Sequence, residues 1–575
     1  MDHNYTSDKS TLILLSLLKA HHIRYVIASP GTTNMALVGS MQHDPYFVMY
    51  SAADERSAAY MACGLASESG EPVVITCTEA TASRNYFPGL TEAYYRKLPI
   101  LVITGYHGEE KIGHLFSQTI DRSSYPKDVL KMSVSVKKCR NANDEWINIV
   151  NINKAILALD HRGKGPVHIN MMASLNTGFN QKELPQVRKI SRYTYINDLP
   201  SLPKGRVAIF IGAHSSFNNE QTAIIDEFCS LYDAVVFCDN TSGYRGTYRV
   251  NHFLVAGQQQ FESELLKMDL LIHLGEVSGA TYITNRLSPR SVWRVSPDGE
   301  IRDTFKKLTC VFEMEETYFF SKFCVSGGAS CKDYYDACLK EYDSVFSKIP
   351  TLPFSNIWIA QQMYSSIPSD SVVYFGIFHS LRSWNFFYLP TDVESYCNVG
   401  GFGIDGAIST TLGSALSAID RLHFLIVGDL AFFYDLNSLG NRHFPNNIRI
   451  LLVNNGRGIE FRKKDHPARI LGNETDMFIA AAGHYGNQSP NLVKHIAEDL
   501  GFLYLTASDK SDFLSVKDVF LDISNSKPII FEVFIKPEDE IASSDIIRNI
   551  ASDMWPSLKK NVKSIGKEIK NKILK

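Results

Sequence analysis

Short, mostly apolar runs constrain this chain more than any other feature. Tyr25-Val-Ile-Ala-Ser, Val73-Val-Ile-Thr-Cys, Ile100-Leu-Val-Ile-Thr and Val167-His-Ile-Asn-Met form one set. Val207-Ala-Ile-Phe-Ile, Ala234-Val-Val-Phe-Cys, Leu270-Leu-Ile-His-Leu and Val292-Trp-Arg-Val form a second, and Val372-Val-Tyr-Phe, Phe424-Leu-Ile-Val, Ile450-Leu-Leu-Val and Ile529-Ile-Phe-Glu-Val a third. A strand with one wet face alternates apolar and polar residues; these do not. They predict parallel sheets covered by helices on both faces, an α/β chain. The sets define blocks over residues 1–185, 204–345 and 350–555, parted by a polar stretch with Pro185, Pro200 and Pro203 and by Ile349-Pro-Thr-Leu-Pro. A length of 575 residues suits about three domains, and 45% apolar content gives each a core. No internal repeat is visible by eye, although the first and third blocks could share a fold.

Composition excludes several classes of function. A net charge of -3 predicts no nucleic-acid partner. The ten cysteines show no zinc-ligand spacing, and Cys324, Cys331 and Cys338, though seven apart, are neither C-x-x-C nor a disulfide framework. With no signal peptide, the thiols are expected to stay reduced in a cytoplasm. Leu12 to Leu18 is too short to span a bilayer, and Asp8-Lys-Ser-Thr before it reads as a helix start. Residues 556–575 carry seven lysines, with Leu558, Val562, Ile565, Ile569 and Ile573 at helical spacing. That basic amphipathic tail is expected to pack on its own protein or fray; the alternative is weak contact with an anionic membrane surface.

The chemistry begins with Asp429 and Asn455. The first closes His-Phe-Leu-Ile-Val-Gly-Asp429; the second ends Ile-Arg-Ile-Leu-Leu-Val-Asn-Asn455 and is followed by Gly-Arg-Gly. Two hard oxygen ligands thus stand at the carboxyl ends of what read as neighbouring parallel strands, where open α/β sheets take ligands. Mg²⁺ binds few protein oxygens and completes its octahedron with phosphate, so Asp429, Asn455 and the backbone carbonyl of Arg457 read as a Mg-diphosphate site. Alone, both dipeptides describe turn residues equally well. A second element lies at Glu55, which follows strand-like Phe-Val-Met-Tyr-Ser-Ala-Ala-Asp and opens a helix whose Ala58, Ala59, Ala62, Gly64 and Ala66 allow close packing. An arbitrary Glu there would be a first-turn acid favoured by the helix dipole.

Asp54-Glu-Arg-Ser-Ala-Ala, Glu71-Pro-Val-Val-Ile-Thr-Cys-Thr, Asn85-Tyr-Phe-Pro-Gly, Leu98-Pro-Ile-Leu-Val-Ile-Thr-Gly and Gln118 follow in the order and spacing of one family, and Gly-Asp…Asn-Asn supplies its other half. The chain resembles the thiamine diphosphate (ThDP) enzymes. The resemblance implies three doubly wound parallel-sheet domains: pyrimidine-binding over 1–185, central over 204–345, and diphosphate- and Mg²⁺-binding over 350–555. It implies that Glu55 hydrogen-bonds N1′ of the aminopyrimidine. Gly376, Ser380, Gly403, Ile404, Gly428, Leu430 and Ala431 would join Asp429 and Asn455 around the cofactor, Ile404 supporting its bent form. Gln118, His107 and His379 are candidates for orienting substrate or moving protons, a structural role being the alternative for each histidine; His114 has less support. The family assembles as a homodimer or homotetramer, with Glu55 and Asp429 of one site on different chains.

Within that family, Gly428-Asp-Leu-Ala-Phe-Phe-Tyr-Asp-Leu-Asn, Asn398-Val-Gly-Gly-Phe-Gly-Ile-Asp-Gly406 and Val295-Ser-Pro-Asp-Gly-Glu-Ile-Arg-Asp resemble the SEPHCHC synthases, which use no FAD. Phe210-Ile-Gly-Ala-His-Ser-Ser carries no dinucleotide fingerprint either. Where that family has arginines for the carboxylates of isochorismate, this chain has Thr33-Asn34 and His107, which cannot copy a bidentate guanidinium. A third arginine is replaced by Val399, and only Arg382 matches one that holds the distal carboxylate of 2-oxoglutarate. The expectation is a ThDP- and Mg²⁺-dependent 2-oxo acid decarboxylase and carboligase, a transferase with an altered, unknown acceptor. A simple decarboxylase is the alternative. A non-enzymatic paralogue would usually have lost Glu55, Asp429 or Asn455.

Overall fold

The computed structural model describes residues 4–552 other than 123, 176–177, 325–329 and 485–488. The basic tail read above therefore lies outside the described residues. The chain forms two compact units, one of Met1–Asn197 with Gly299–Glu313, the other of Asp198–Asp298 with Met314–Lys575.

The first unit is built on six parallel strands: β1 (Tyr25–Ala28), β2 (Val48–Ser51), β3 (Val73–Cys77), β4 (Ile100–Tyr106), β5 (Met132–Val136) and β6 (Val167–Met172). Their order across the sheet is β2-β1-β3-β4-β6-β5. Successive residues of a strand enter opposite layers, which is why the runs do not alternate. Leu101 and Ile103 pack with the helix α1 (Lys9–Ala20), whereas Ile100 and Val102 pack with α2 (Glu55–Ser69) and α3 (Phe87–Tyr95). The Asp8 side chain caps α1 by accepting from the Thr11 N–H at 2.9 Å. Helices α2 and α3 approach so closely that a Cβ on Gly89 would lie 2.4 Å from that of Ala59. Ala58, Ala59, Ala62 and Ala66 are buried on that face, while Gly64 is exposed. Within the same unit Leu308–Glu313 pairs in parallel with Ser191–Thr194.

The second unit holds β7 (Val207–Ile211), β8 (Val235–Cys238), β9 (Arg249–Val250), β10 (Lys267–Leu274) and β11 (Ser288–Val295), parallel and ordered β9-β8-β7-β10-β11. It also holds β12 (Val372–Phe375), β13 (Glu394–Cys397), β14 (His423–Gly428), β15 (Ile448–Asn454), β16 (Leu503–Ala507) and β17 (Ile529–Phe534). These six are parallel and ordered β13-β12-β14-β15-β17-β16. Numbered from its own start, each six-stranded sheet runs second, first, third, fourth, sixth, fifth, so the first and last blocks share one topology. In both sheets the winding direction reverses between the first and third strands. Loops leaving those strands part there and open a crevice.

Candidate active site

At the reversal between β12 and β14 lies a cavity of 460 Å³. Phe378, His379 and Ser380 line it from the turn into α4 (His379–Trp384); Gly428, Asp429, Leu430 and Ala431 from the start of α5 (Asp429–Tyr434); and Asn455 and Arg457 from the loop after β15. Gly428 stands opposite Val453 in the β14–β15 register, so Asp429 and Asn455 leave adjacent strands. Asp429 is buried, and burial pushes its carboxyl up to about 7 although the Leu430 N–H donates to it at 2.9 Å. Asn455 is buried too, and its Oδ1 has no hydrogen-bond partner. A carboxylate without a counter-charge and an orphaned carbonyl oxygen are costly in a core. Both are the oxygen donors a hard cation accepts. No group of three His, Cys, Asp or Glu side chains suited to a metal occurs among the described residues, so the remaining ligands would come from a bound molecule. Arg457 lines the cavity while its guanidinium donates to Asp476 at 2.6 Å.

Ile404 lines the cavity and packs into the core of the same sheet. Gly376, Gly403 and Val399 are outside the lining: Gly376 is buried at the end of β12, Gly403 is exposed, and Val399 is buried. The His379 Nε2 meets Glu540 Oε2 at 2.9 Å, Glu540 being buried in the first turn of α6 (Pro537–Ile547). Arg382 Nη1 donates to Glu460 Oε1, and Lys463 Nζ donates to Glu460 Oε2 at 2.7 Å. Burial alone would raise the Glu460 carboxyl, but Lys463, Arg382 and His379 outweigh it and hold it down at about 2. Glu460, Glu540, Asn356 and Phe378 escape sequence reasoning. The only signal is Glu460 three residues before Lys463, a spacing common on exposed turns.

In the first unit Glu55 is the first residue of α2, half-buried, and accepts from Asn85 Nδ2 at 3.1 Å. The equivalent reversal, between β1 and β3, gathers a polar cluster. Thr33 Oγ1 is 2.7 Å from Thr78 Oγ1, and a Cβ on Gly105 would strike Thr33 Oγ1 at 2.4 Å. Asn34 Nδ2 donates to the Ser29 carbonyl at 3.0 Å and so braces its own loop. His107 follows β4, its Nε2 3.0 Å from Oε1 of Glu79, whose side chain is 1% exposed. Burial pushes the Glu79 carboxyl up to about 7, against the opposing pull of Arg122. The His107 imidazole is held below its usual range by burial and by Lys111. Arg122 is itself buried and donates to Thr104 Oγ1 at 2.9 Å and the Gly105 carbonyl at 2.7 Å. Gln118 and His114 are exposed, and Gln118 has a φ of 59°, a left-handed conformation unusual for a side chain of its size.

A family model described as "Thiamine pyrophosphate enzyme, N-terminal TPP binding domain" matches residues 10–125. Proteins named 2-succinyl-5-enolpyruvyl-6-hydroxy-3-cyclohexene-1-carboxylate synthase align over nearly the whole chain. That of Bacteroides fragilis is 30% identical, covering 92% of this chain and 96% of its own. That of Phocaeicola vulgatus is 30% identical over 93% and 97%, and that of Flavobacterium johnsoniae 28% over 91% and 95%.

Proposed function

Because the chain belongs to the thiamine diphosphate-dependent enzyme family, we propose that it is a Mg²⁺-dependent transferase. It would decarboxylate a 2-oxo acid and pass the acyl unit to an acceptor not held by arginine forks. The observation that carries this reading is Asp429 beside Asn455: one buried carboxyl pushed up by desolvation, one buried oxygen without a partner, in one cavity.

Bound ThDP supplies a carbon nucleophile and an electron sink for loss of CO₂. The chain's own residues do the rest. Asp429 and Asn455, with the Arg457 carbonyl, would hold Mg²⁺ against the diphosphate, with Leu430, Ala431 and Ser380 in the wall of the same cavity. Glu55, steadied by Asn85, would exchange a proton with N1′ of the pyrimidine. His379, fixed by Glu540, orients the donor. His107, backed by Glu79, exchanges a proton with the acceptor oxygen, and Thr33 supplies a hydroxyl beside it.

The active unit in this reading is a homodimer or a larger even assembly, with Glu55 of one copy serving the cavity of another. Exposed Tyr50, Tyr60 and Met61 surround Glu55 in sequence, and exposed Ile470, Met477 and Phe478 follow Arg457. Such apolar surface suits burial against a second copy. No helix among the described residues is long and apolar enough to cross a membrane, and all ten cysteines are free thiols; we place the enzyme in a cytoplasm.

The test is a screen of 2-oxo acids for CO₂ release with ThDP and Mg²⁺, with and without candidate acceptors. Release with a ligated product is expected. Aldehyde formed without any acceptor would establish the simple decarboxylase instead, and no release from any donor would refute enzymatic turnover of this class.

A further inference from the structure

We propose that Glu460 sets the donor class by standing in for a substrate carboxylate, so that the 2-oxo acid accepted has a short, uncharged tail. The inference rests on the preceding reading of a ThDP enzyme acting on 2-oxo acids and adds the identity of its donor. Arg382 is the cavity residue expected to meet a distal carboxylate, and it is already engaged. One Glu460 oxygen takes Arg382 and the other takes Lys463, and the three side chains are 19%, 16% and 7% exposed respectively. Glu460 lies on the 3₁₀ turn Ile459–Arg462, where residues three apart eclipse, so the pairing with Lys463 is set by its own turn and does not wait for a ligand.

The Arg and Lys side chains of this wall are paired without a substrate. Arg382 and Lys463 are positive; Glu460 and the buried Glu540 behind His379 are negative. Arg457 and Arg462 pair with Asp476, and Arg548 with Asp465. A donor bringing a second carboxylate to Arg382 would meet the Glu460 carboxylate already there, a like-charge penalty in a desolvated site that works as rejection. Beside these charged groups the lining presents apolar Ile377, Phe378, Ile404, Ile459 and Phe461, together with polar Asn356 and His466. The apolar part of that surface suits a methyl or ethyl tail.

The experiment compares pyruvate, 2-oxobutyrate and 2-oxoglutarate as donors for the full-length holoenzyme and its Glu460→Gln variant. The wild type is expected to favour the two uncharged tails. Glu460→Gln frees both cations, so kcat/KM for 2-oxoglutarate relative to pyruvate should rise on the order of ten- to a hundredfold, mainly through KM. Adding Arg382→Gln to that variant should cancel the gain. Equilibrium binding of acetylphosphonate and of succinylphosphonate, its tail-carboxylated counterpart, reads the same preference without turnover. Tighter wild-type binding of succinylphosphonate, or an unchanged ratio in a Glu460→Gln protein that still binds ThDP, would overturn the proposal. Absence of CO₂ release from every donor would refute the preceding reading instead, while the phosphonate preference would still decide this one.

Discussion

Replacing Glu79 by Gln tests the polar cluster of the first unit through its proton. The Glu79 carboxyl is raised from 4.5 to about 7, first by burial, with Arg122 opposing. A group whose folded value lies above its unfolded one stabilises the fold when protonated. That contribution is complete below about 4.5 and is lost as pH rises toward 7, where the folded protein alone still holds the proton. At roughly 1.4 kcal/mol per unit, the interval amounts to about 3 kcal/mol. Gln keeps the shape and has no proton to lose, so the variant should lack this slope. The assay is amide hydrogen exchange in β3 and β4, read between pH 5 and 8 and compared at each pH so that intrinsic exchange cancels. Wild-type protection relative to the variant should fall on the order of 10²-fold across that range. A ratio flat with pH would refute the reasoning, for it would mean that Glu79 is ionised throughout and paired with His107 or Arg122.

Three further outcomes follow from the cavity of the second unit and from Glu55. Asp429→Ala should abolish Mg²⁺-dependent ThDP binding in calorimetry while far-UV circular dichroism stays native; undiminished affinity would remove Asp429 from the metal site. Glu55→Gln should still bind ThDP but slow exchange of the cofactor C2 proton by ~10²–10⁴-fold, measured by quenched-flow NMR in D₂O, whereas wild-type exchange would leave Glu55 a first-turn acid only. Mixing Glu55→Gln with Asp429→Ala subunits should restore one working site per heterodimer, and exchange of subunits without recovery would contradict a site shared between copies.

The buried strands were legible because a parallel strand covered on both faces must be apolar throughout, and all twelve runs fall on strands. Two edge strands were not. Met132–Val136 and Leu503–Ala507 are largely half-buried, each with a single neighbour, so no continuous apolar run marks them. Nothing in Leu308-Thr-Cys-Val-Phe-Glu announces Ser191–Thr194 as its partner, because that pairing closes a loop of more than a hundred residues. Asp429 and Asn455 could be found because each terminates an apolar run. Glu79, Glu460 and Glu540 could not: an acid in a loop or first helical turn looks solvated, and its burial is a property of the packed molecule. Arg382 was visible, but not the carboxylate that occupies it.

Two sheets with one strand order in a single polypeptide set a problem of self-recognition. Val73–Cys77 and His423–Gly428 are both third strands, both apolar, both flanked in parallel by a first and a fourth. In a fully denatured chain, each could insert where the other belongs. Synthesis from the amino end removes that ambiguity, since β1 to β6 can close before β12 has been made. The order of emergence from the ribosome then does what local sequence does not, and the first block becomes a completed object that the last one can no longer enter.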